Sequence, residues 1–483
     1  MKTDICIIGG GLVGCMMAAK LSNIGFRVTI LEVGSADYPN KKRDIYTNSG
    51  EIHYPLNQMR VKAVGGSTHK WGAHTPRLLE CDFNLRSIQG VGDDWPINYT
   101  DLETYYSIAE DELGVSGNQD NKYASYRNKD YPLPAKKIPK DLKNKFKKIG
   151  LDICSQPRAV TTKEWDGKPP NRHYRAHEVH LQKAFAASQK FKIITDATVT
   201  RLEIDQSGKI KRAIYVGLAD RSEKTQEASL FILGAGAIES PRLLLLSTSS
   251  QFPEGLANKS GLVGKYFMEH TQVGVACYFD SSFSLPFRRV MSWQYYERKK
   301  EEDRSALMLT IDGFPKPEDF IKKNYWGEEL QRQILSEGNL QINISCTVEE
   351  IPYLDSYIAL DPSVKDIFGN PAPRVNYSLH PQTKKSMDYA RDLVQNISQK
   401  LEPKKVRNRG DMRSAHHMGT CRMSNDPSKG VVNENLVAHD IPNLMIVGSA
   451  VNVSSGCPNP SLTIAALALR AVDYIKLSSK SSL

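Results

Sequence analysis

Two polar side chains near the C-terminal end of the chain, those of His416 and Asn459, could between them accept a proton and hold an oxygen atom. Histidine has an unperturbed pKa of about 6.5, so the imidazole of His416 can accept a proton near neutral pH. Asparagine cannot take a proton, but the amide of Asn459 can hydrogen-bond an oxygen atom and hold it in place. The alternative interpretation is structural: His416 would cap a turn, and Asn459 would be the N-cap of the helix that follows it.

The clearest local motif lies at the other end of the chain, where a strand, a turn, a helix and a strand are predicted over residues 4–32. Residues 4–8 and 27–31 are short apolar runs, and residues 15–24 are compatible with a helix. The turn before the helix has the pattern G-x-G-x-x-G and consists of Gly9, Gly10, Gly11, Leu12, Val13 and Gly14. This unit predicts a binding site for a dinucleotide.

Three glycines of this turn have separate physical roles in the prediction. Gly9 permits the tight turn, Gly11 lets the backbone approach a pyrophosphate, and Gly14 lets the helix pack closely on the strand. The phosphates would lie at the helix N-terminus, where unpaired N–H groups and the helix dipole favour an anion. Glu32 ends the second strand and is placed to accept hydrogen bonds from ribose hydroxyls; the alternative is a surface acid at a strand end.

Two further glycine-containing turns accompany this unit. Residues 64–72 are small apart from one aromatic side chain, and they include Gly65, Gly66, Ser67, Trp71 and Gly72. Such a loop suits a backbone that passes close to a flat ring system, and the alternative is a tight turn with positive φ at its glycines. Residues 228–233 are apolar and strand-like, and the turn after them opens a predicted helix with Pro241 near its start, where proline is tolerated.

The C-terminal part of the chain carries the most specific pattern, in blocks at 415–423, 430–433, 443–450 and 459–464. Together with the N-terminal turn, these blocks resemble the glucose–methanol–choline (GMC) oxidoreductase family of FAD enzymes. Further blocks resemble the branch that contains pyranose oxidase and the sugar-acid and fructose dehydrogenases; they lie at 95–96, 101–106, 109–110, 113–117 and 264–270. Matching blocks extend from residue 4 to about residue 475, and residues 277–413 are the divergent part.

The resemblance implies an FAD-dependent alcohol or sugar dehydrogenase or oxidase. Its substrate would be a small polar molecule such as a sugar, glycoside, aminosugar or cyclitol, whose hydroxyl-bearing carbon gives a hydride to flavin N5. In the family motif H-x-x-G-T the base that takes the hydroxyl proton corresponds to His416, and the second catalytic position corresponds to Asn459. His417 is expected to pack beside the site. The alternative is a lyase of the same fold in which FAD is a non-redox structural cofactor.

The resemblance also implies which residues contact FAD. The expected cofactor-binding set is Gly9, Gly10, Gly11, Leu12, Gly14, Glu32, Gly65, Gly66, Ser67, Trp71, Gly72, Val199, Gly236, Gly448, Ser449, Asn459 and Pro460. Some relatives tether FAD through a histidine directly before the loop tryptophan. Lys70 occupies that position and His69 lies one residue earlier, so we expect noncovalent FAD.

The predicted fold class is α/β, or α+β over the whole chain. A Rossmann-type FAD-binding domain would be discontinuous and comprise residues 1–85, 181–275 and 415–483. A substrate-binding domain built on an antiparallel sheet would comprise residues 86–180 and 276–414.

The bulk composition excludes several other classes of protein. The net charge of +10 comes from scattered Lys and Arg residues without a nucleic-acid motif, so no nucleic-acid partner is expected. No apolar run is long enough to span a bilayer and no secretory signal is recognisable, which favours a cytoplasmic enzyme. The eight cysteines include no CxxC pair, and His173, His177 and His180 lie in a segment without a convincing helical pattern, so no metal site is predicted.

Overall fold

The computed structural model describes residues 3–36, 44–187, 190–280, 289–298, 301, 303–313, 321, 324–337 and 341–480. Two large β-sheets organise this part of the chain. We call them the parallel sheet and the antiparallel sheet after the pairing of most of their strands.

The parallel sheet combines strands from the N-terminal, middle and C-terminal parts of the chain. Its parallel strands are, in spatial order, Lys192–Ile194, Val28–Leu31, Thr3–Ile8, Glu223–Leu233 and Leu444–Ile446. The first half of Glu223–Leu233 also pairs with an antiparallel hairpin formed by Ala197–Ile204 and Ile210–Gly217. The central strands are buried apolar runs, as expected for a sheet covered on both faces.

The helices around the parallel sheet position its glycine turns. Helix Leu12–Asn23 begins directly after the first strand, with Gly11 as its N-cap. A Cβ atom at Gly14 would lie 2.0 Å from the carbonyl oxygen of Gly9, so only glycine lets this helix start so close to the strand. The C-terminal helix Ser461–Lys480 packs against Leu12–Asn23 and against Tyr99–Leu113.

The antiparallel sheet has one apolar and one polar face. Its strands, in spatial order, are Lys405–Asn408, Thr271–Tyr278, Gln341–Val348, Leu307–Gly313, Arg289–Ser292 and Cys154–Ser155, and Met412–Arg413 also pairs with Thr271–Tyr278. Helix Pro381–Gln399 packs on this sheet against the alternate apolar residues of the two strands Thr271–Tyr278 and Gln341–Val348. The opposite face carries polar side chains and contributes to the site described below.

Smaller elements complete the chain. A three-stranded sheet contains Tyr357–Lys365, Pro371–Asn376 and Thr47–Ser49, and a two-stranded sheet contains Ser116–Gly117 and Leu133–Pro134. The remaining helices and helical turns are Leu56–Met59, Gly66–His69, Glu80–Phe83, Leu85–Gln89, Lys140–Lys148, His177–Leu181, Gln182–Ala187, Gly236–Leu246, Gly327–Glu337 and Ser449–Val451.

The predicted fold class is confirmed: a Rossmann-type parallel sheet is joined to a second unit built on an antiparallel sheet. Two local expectations are wrong. Pro241 lies in the interior of helix Gly236–Leu246 rather than in its first turn. His177 and His180, in a segment expected to lack a helical pattern, lie on the π-helical turn His177–Leu181. None of the helices in the described ranges is long and apolar enough to cross a membrane.

Candidate active site

A cleft of about 630 Å³ lies at the carboxyl ends of the parallel strands, where ligands bind in sheets of this type. It is lined by most of the residues singled out in the sequence, namely Gly9, Gly11, Leu12, Glu32, Gly66, Ser67, Trp71, Gly72, Val199, Gly236, His416, Gly448, Ser449, Asn459 and Pro460. Gly10, Gly14 and Gly65 do not line it. These three glycines lie behind the wall and shape the backbone that forms it.

The first two glycine segments meet at the N-terminus of helix Leu12–Asn23. The N–H of Gly65 donates to the carbonyl oxygen of Gly10 at 2.7 Å. A Cβ atom at Gly66 would lie 3.0 Å from the Cα of Gly11, whereas a Cβ at Gly11 would meet nothing within 4 Å. Gly11 therefore leaves open space at a helix N-terminus, which is the environment a pyrophosphate requires.

Glu32 is buried at the end of the second parallel strand, with 5% of its surface exposed. One carboxylate oxygen accepts the N–H of Gly10 at 2.6 Å, and the other accepts the N–H of Gly34 at 2.8 Å. The surface-acid alternative for Glu32 is therefore wrong. Glu32 also lines the cleft, where a carboxylate oxygen can accept hydrogen bonds.

His69 and Lys70 differ in their relation to the cleft. His69 stacks on His177 with the ring centroids 4.5 Å apart, and a ring nitrogen lies 2.7 Å from the carbonyl oxygen of Val64. His69 is absent from the wall of the cleft, whereas Lys70 contributes to it. The imidazole closest in sequence to the loop tryptophan therefore turns away from the space in which a ring system would lie.

His416 and Asn459 meet although 43 residues separate them in the chain. Nε2 of His416 lies 2.9 Å from the amide nitrogen of Asn459, and both side chains line the cleft. Nδ1 of His416 lies 2.9 Å from Nδ1 of His270 on its other side. The surrounding protein removes most solvent from His416, and this desolvation lowers its pKa well below the usual value. The imidazole is therefore neutral at pH 7 and can accept a proton from a group in the cleft.

The backbone that presents His416 is held by the buried carboxyl group of Glu269. Ser414 donates its N–H to one oxygen of this group at 2.7 Å, and His416 donates its N–H to the other oxygen. Between them, Ala415 has a φ of 62°, a conformation that costs a non-glycine residue energy. Burial and the nearby carboxylate of Glu350 raise the pKa of Glu269 to about 8. Glu269 thus stabilises the strained turn from which the His416 side chain projects.

The threonine of the H-x-x-G-T segment compensates for a proline in a neighbouring helix. Pro241 has no N–H, so the carbonyl of Ala237, four residues earlier, loses its helical partner. The buried hydroxyl of Thr420 donates to that carbonyl at 2.8 Å. Gly419, just before it, has a φ of 90°, and a Cβ there would lie 2.3 Å from the carbonyl oxygen of Tyr266. Within four residues of His416, the H-x-x-G-T segment therefore contacts two other segments of the chain, at Ala237 and at Tyr266.

His417 has a different environment from its neighbour. Its ring packs edge-on against Tyr54 and parallel to Phe267, with centroid separations of 5.4 and 6.2 Å. Burial lowers the pKa of His417 to about 3. These aromatic contacts explain the presence of a histidine at position 417, and no role in proton transfer is needed to explain it.

The polar face of the antiparallel sheet forms another side of the site, and the sequence analysis did not identify it. Cross-strand pairing places on this face Gln272, Arg289, Thr310, Asp312, Ser345 and Thr347. Gln272 donates to Thr347 at 3.0 Å, and Arg289 pairs with Asp312 through two contacts. Gln272 and Arg289 reach the cleft. No local motif signals these residues, because they meet only through strand pairing.

Arg289 continues this polar surface to the glycine-rich loop. Its Nη1 lies 3.0 Å from Nε2 of His74, which also lines the cleft. Burial, followed by the charge of Arg289, lowers the pKa of His74 well below its usual value. The neutral imidazole accepts from the guanidinium, so Arg289 is held by His74 on one side and Asp312 on the other.

A charged cluster that the sequence analysis also missed lies farther along the cleft wall. Arg60 lies between Asp44 at 2.7 Å and Glu239 at 2.6 Å, and Arg242 pairs with the same Glu239 at 3.2 Å. Arg60, Glu239 and Arg242 all line the cleft. Lys62 also pairs with Asp44 and Glu239, and Arg242 pairs with Asp366, so three cationic side chains face three carboxylates in this cluster.

In the described part of the chain, no group of three or more His, Cys, Asp or Glu side chains is arranged to hold a metal ion. His177 and His180 lie on the π-helical turn His177–Leu181, and His180 is fully buried. Burial lowers the pKa of His180 to about 3.

The chain matches two family models and is similar to several known proteins. Residues 352–468 match the model described as GMC oxidoreductase, and residues 4–51 match the model described as pyridine nucleotide-disulphide oxidoreductase. The large subunit of fructose dehydrogenase from Gluconobacter japonicus is 27% identical, over 98% of each chain. The 2-methyl-1,2-propanediol dehydrogenase of Mycolicibacterium austroafricanum is also 27% identical, over 98% of this chain and 95% of the relative.

The overall fold is similar to that of a solved structure. Pyridoxine 4-oxidase from Mesorbium loti has a TM-score of 0.70 at 17% identity, over 98% of this chain and 99% of the other. At that level of identity, the similarity concerns the fold alone.

Proposed function

We propose that this chain, which belongs to the GMC oxidoreductase family, oxidises a secondary or primary hydroxyl group of a small polyhydroxylated molecule with His416 as the base. One observation carries the proposal: His416 and Asn459 come together, 2.9 Å apart, in the wall of the cleft that the glycine turns also line. This arrangement brings a proton acceptor and an amide beside the expected position of a dinucleotide.

The cleft fits FAD by its own geometry. A Cβ atom at Gly11 would meet nothing within 4 Å at the helix N-terminus, and the carboxylate of Glu32, held by the N–H groups of Gly10 and Gly34, lines the cleft. A cleft of about 630 Å³ is large enough for an extended cofactor with an exposed end. When bound, FAD supplies the acceptor for the hydride that leaves the hydroxyl-bearing carbon. We propose that the residues predicted from the sequence and lining the cleft contact this cofactor.

Side chains of the protein accept the proton of the substrate hydroxyl group and position its oxygen. The hydroxyl O–H bond breaks as an N–H bond forms on His416, whose lowered pKa leaves its imidazole neutral and ready to accept. The amide of Asn459 donates to the same hydroxyl oxygen and fixes its distance from the base. In the free protein the Asn459 amide nitrogen lies 2.9 Å from Nε2 of His416, so the substrate hydroxyl must take the place of this amide as the donor to Nε2 before the proton is transferred.

The polar face of the antiparallel sheet supports a substrate with several hydroxyl groups. Gln272 and Arg289 reach the cleft, and Thr310 and Thr347 lie behind them on the same face. Amide, guanidinium and hydroxyl groups match the donors and acceptors of a sugar, glycoside, aminosugar or cyclitol. Two relatives, named for fructose and for a vicinal diol, support the same substrate class.

We also propose that FAD is held without a covalent bond. The position before Trp71 is Lys70, and the imidazole of His69 stacks on His177 outside the wall of the cleft. No observation in the site or among the relatives favours the lyase alternative.

We propose the same division into two domains that the sequence predicts. Residues 1–85, 181–275 and 415–483 would form the FAD unit, and residues 86–180 and 276–414 would form the substrate unit. The distribution of strands between the two sheets supports this division, although strand Thr271–Tyr278 crosses the boundary at residue 275. A cytoplasmic location is likewise proposed, and the eight cysteines, none of which forms a disulfide bond, support it.

A substrate screen tests the proposed function. The purified FAD-loaded protein is mixed without oxygen with sugars, sugar acids, cyclitols, aminosugars and simple diols, and the flavin absorbance is followed. We expect bleaching by at least one polyhydroxylated compound, and slower bleaching of the His416→Ala variant by the same compound. A protein that binds FAD but is bleached only by NADH or by no alcohol would contradict the proposal.

A further inference from the structure

His270 is a second buried histidine in direct contact with His416. It directly precedes strand Thr271–Tyr278 and is completely buried. The two imidazole planes are nearly perpendicular, at 86°, and their Nδ1 atoms lie 2.9 Å apart. One of these two nitrogens must donate and the other must accept, because two lone pairs or two N–H groups at this distance would repel.

The environment of Nε2, the other ring nitrogen of His270, determines which of the two Nδ1 atoms donates. Its Nε2 faces two backbone carbonyl oxygens, that of Gly456 at 2.9 Å and that of Ser455 at 3.2 Å. A carbonyl oxygen can only accept a hydrogen bond, so Nε2 of His270 carries the hydrogen. Burial lowers the pKa of His270, as it does for His416, so each neutral ring carries a single N–H. Nδ1 of His270 is therefore an acceptor.

We infer that His270 is a positioning residue that fixes His416 as the neutral tautomer with its hydrogen on Nδ1 and its lone pair on Nε2, facing Asn459 and the cleft. The chain of hydrogen bonds then runs in one direction. The Asn459 amide donates to Nε2 of His416, and Nδ1 of His416 donates to Nδ1 of His270. Nε2 of His270 in turn donates to the carbonyl oxygens of Ser455 and Gly456.

This inference rests on the proposed function and specifies which nitrogen of His416 acts. Only a lone pair on Nε2 can accept the hydroxyl proton, because the other tautomer would present an N–H to the substrate. During the reaction the hydroxyl O–H bond breaks and an Nε2–H bond forms, while the hydrogen on Nδ1 stays in place. A partner that fixes a histidine tautomer in this way is a recurring requirement of base catalysis by histidine.

The electrostatic environments of His270 and His416 differ. The carboxylates of Glu349 and Glu350 act on His270 and raise its pKa against the effect of burial. Glu269 holds the backbone N–H of His416. For His416 itself, burial and the neighbouring imidazoles of His270 and His417 disfavour the charged form, so its positive charge forms only during the reaction.

Two variants of similar size separate the tautomer role from a structural role. In His270→Asn, the side-chain oxygen reaches the place of the histidine Nδ1 and can still accept from His416, whereas His270→Leu has no acceptor there. Both variants lose the donor to the Ser455 and Gly456 carbonyls, so they share any structural cost of that loss. Flavin content and far-UV circular dichroism establish that each variant is folded.

We expect His270→Leu to slow anaerobic flavin reduction by about 10–10²-fold, the range for loss of an outer partner of a functional histidine. His270→Asn should stay within a few-fold of the wild type. The effect should fall on the limiting reduction rate and not on the substrate concentration for half-saturation, because the substrate does not contact His270. Equal rates in the two variants would overturn the inference.

Nitrogen NMR of the FAD-loaded wild-type protein, labelled with ¹⁵N-histidine, reads the tautomer directly and without substrate. The signals of His416 are identified by their loss in His416→Ala. We expect a protonated Nδ1 and an unprotonated Nε2 on His416; the opposite pattern would overturn the inference even if both variants misfold. A His416→Ala variant that reduces flavin at the wild-type rate would instead refute the proposed function, so the two failures are distinguishable.

Discussion

The hydrogen bond from Thr420 to the carbonyl of Ala237 predicts a specific coupling between two distant positions. Replacing Thr420 by Val removes the hydroxyl and keeps nearly the same shape. The Ala237 carbonyl then loses its partner, since Pro241 cannot supply an N–H. Thr420 is completely buried and Ala237 is 2% exposed, so water cannot replace the lost hydrogen bond.

An unsatisfied buried carbonyl costs about 1–3 kcal/mol of unfolding free energy. In a Pro241→Ala background, residue 241 regains an N–H that can pair with Ala237 within the helix. Thr420→Val should then cost less than about 1 kcal/mol, which gives a coupling of about 1–2 kcal/mol between the two positions. Thr420→Ser keeps the hydroxyl and serves as the matched control.

Urea unfolding of the four proteins of this double-mutant cycle measures the coupling. Flavin release reports on the unit around the parallel sheet, and a fixed FAD concentration keeps the contribution of ligand binding constant. If Thr420→Val destabilises both backgrounds equally, the Thr420 hydroxyl does not replace the hydrogen bond that Pro241 removes. A coupling that persists in Thr420→Ser would also contradict the account.

Three other outcomes follow from the site. Glu32→Ala should weaken FAD binding by about 1–3 kcal/mol, since a charge-assisted hydrogen bond to ribose is lost; an unchanged dissociation constant in flavin titration would remove Glu32 from the cofactor site. Glu269 has a raised pKa of about 8, so the folded protein binds its proton more tightly and the associated stability is lost as pH rises from about 4.5 to 8. Urea unfolding across this interval should therefore show a weaker decline in Glu269→Gln than in the wild type, and parallel declines would assign the pH dependence to other groups. Acid precipitation should release the flavin into the supernatant, and a yellow pellet would demonstrate a covalent tether.

The parts of the fold that depend on short segments were predictable from the sequence. The G-x-G-x-x-G turn lies between two apolar runs, and the structure places both runs as neighbouring parallel strands. The H-x-x-G-T segment and the helix after Pro460 carry local patterns as well. In these cases the residues that identify the element are adjacent in the chain, so the pattern is visible without knowledge of the tertiary contacts.

The features that were missed depend on contacts between distant segments. His270 gains its significance only because strand Thr271–Tyr278 brings it beside His416, 146 residues away. The tolerance of Pro241 inside a helix depends on a hydroxyl 179 residues later, at Thr420. Gln272 and Arg289 share a polar face only through strand pairing. No local periodicity reports on such pairings, which explains why these side chains could not be assigned from the sequence.

The most direct test of the central claim is the rate of anaerobic flavin reduction in His416→Ala, measured by rapid mixing with a substrate found in the screen. The variant should retain FAD but reduce it about 10²–10⁴-fold more slowly, the usual contribution of a positioned base. Raising the pH should recover part of the loss, Asn459→Ala should cost less, and His417→Ala should have a small effect. Flavin reduction in His416→Ala at the wild-type rate would contradict the assignment of His416 as the base. Strongly slowed reduction in His417→Ala, together with rapid reduction in His416→Ala, would contradict it as well.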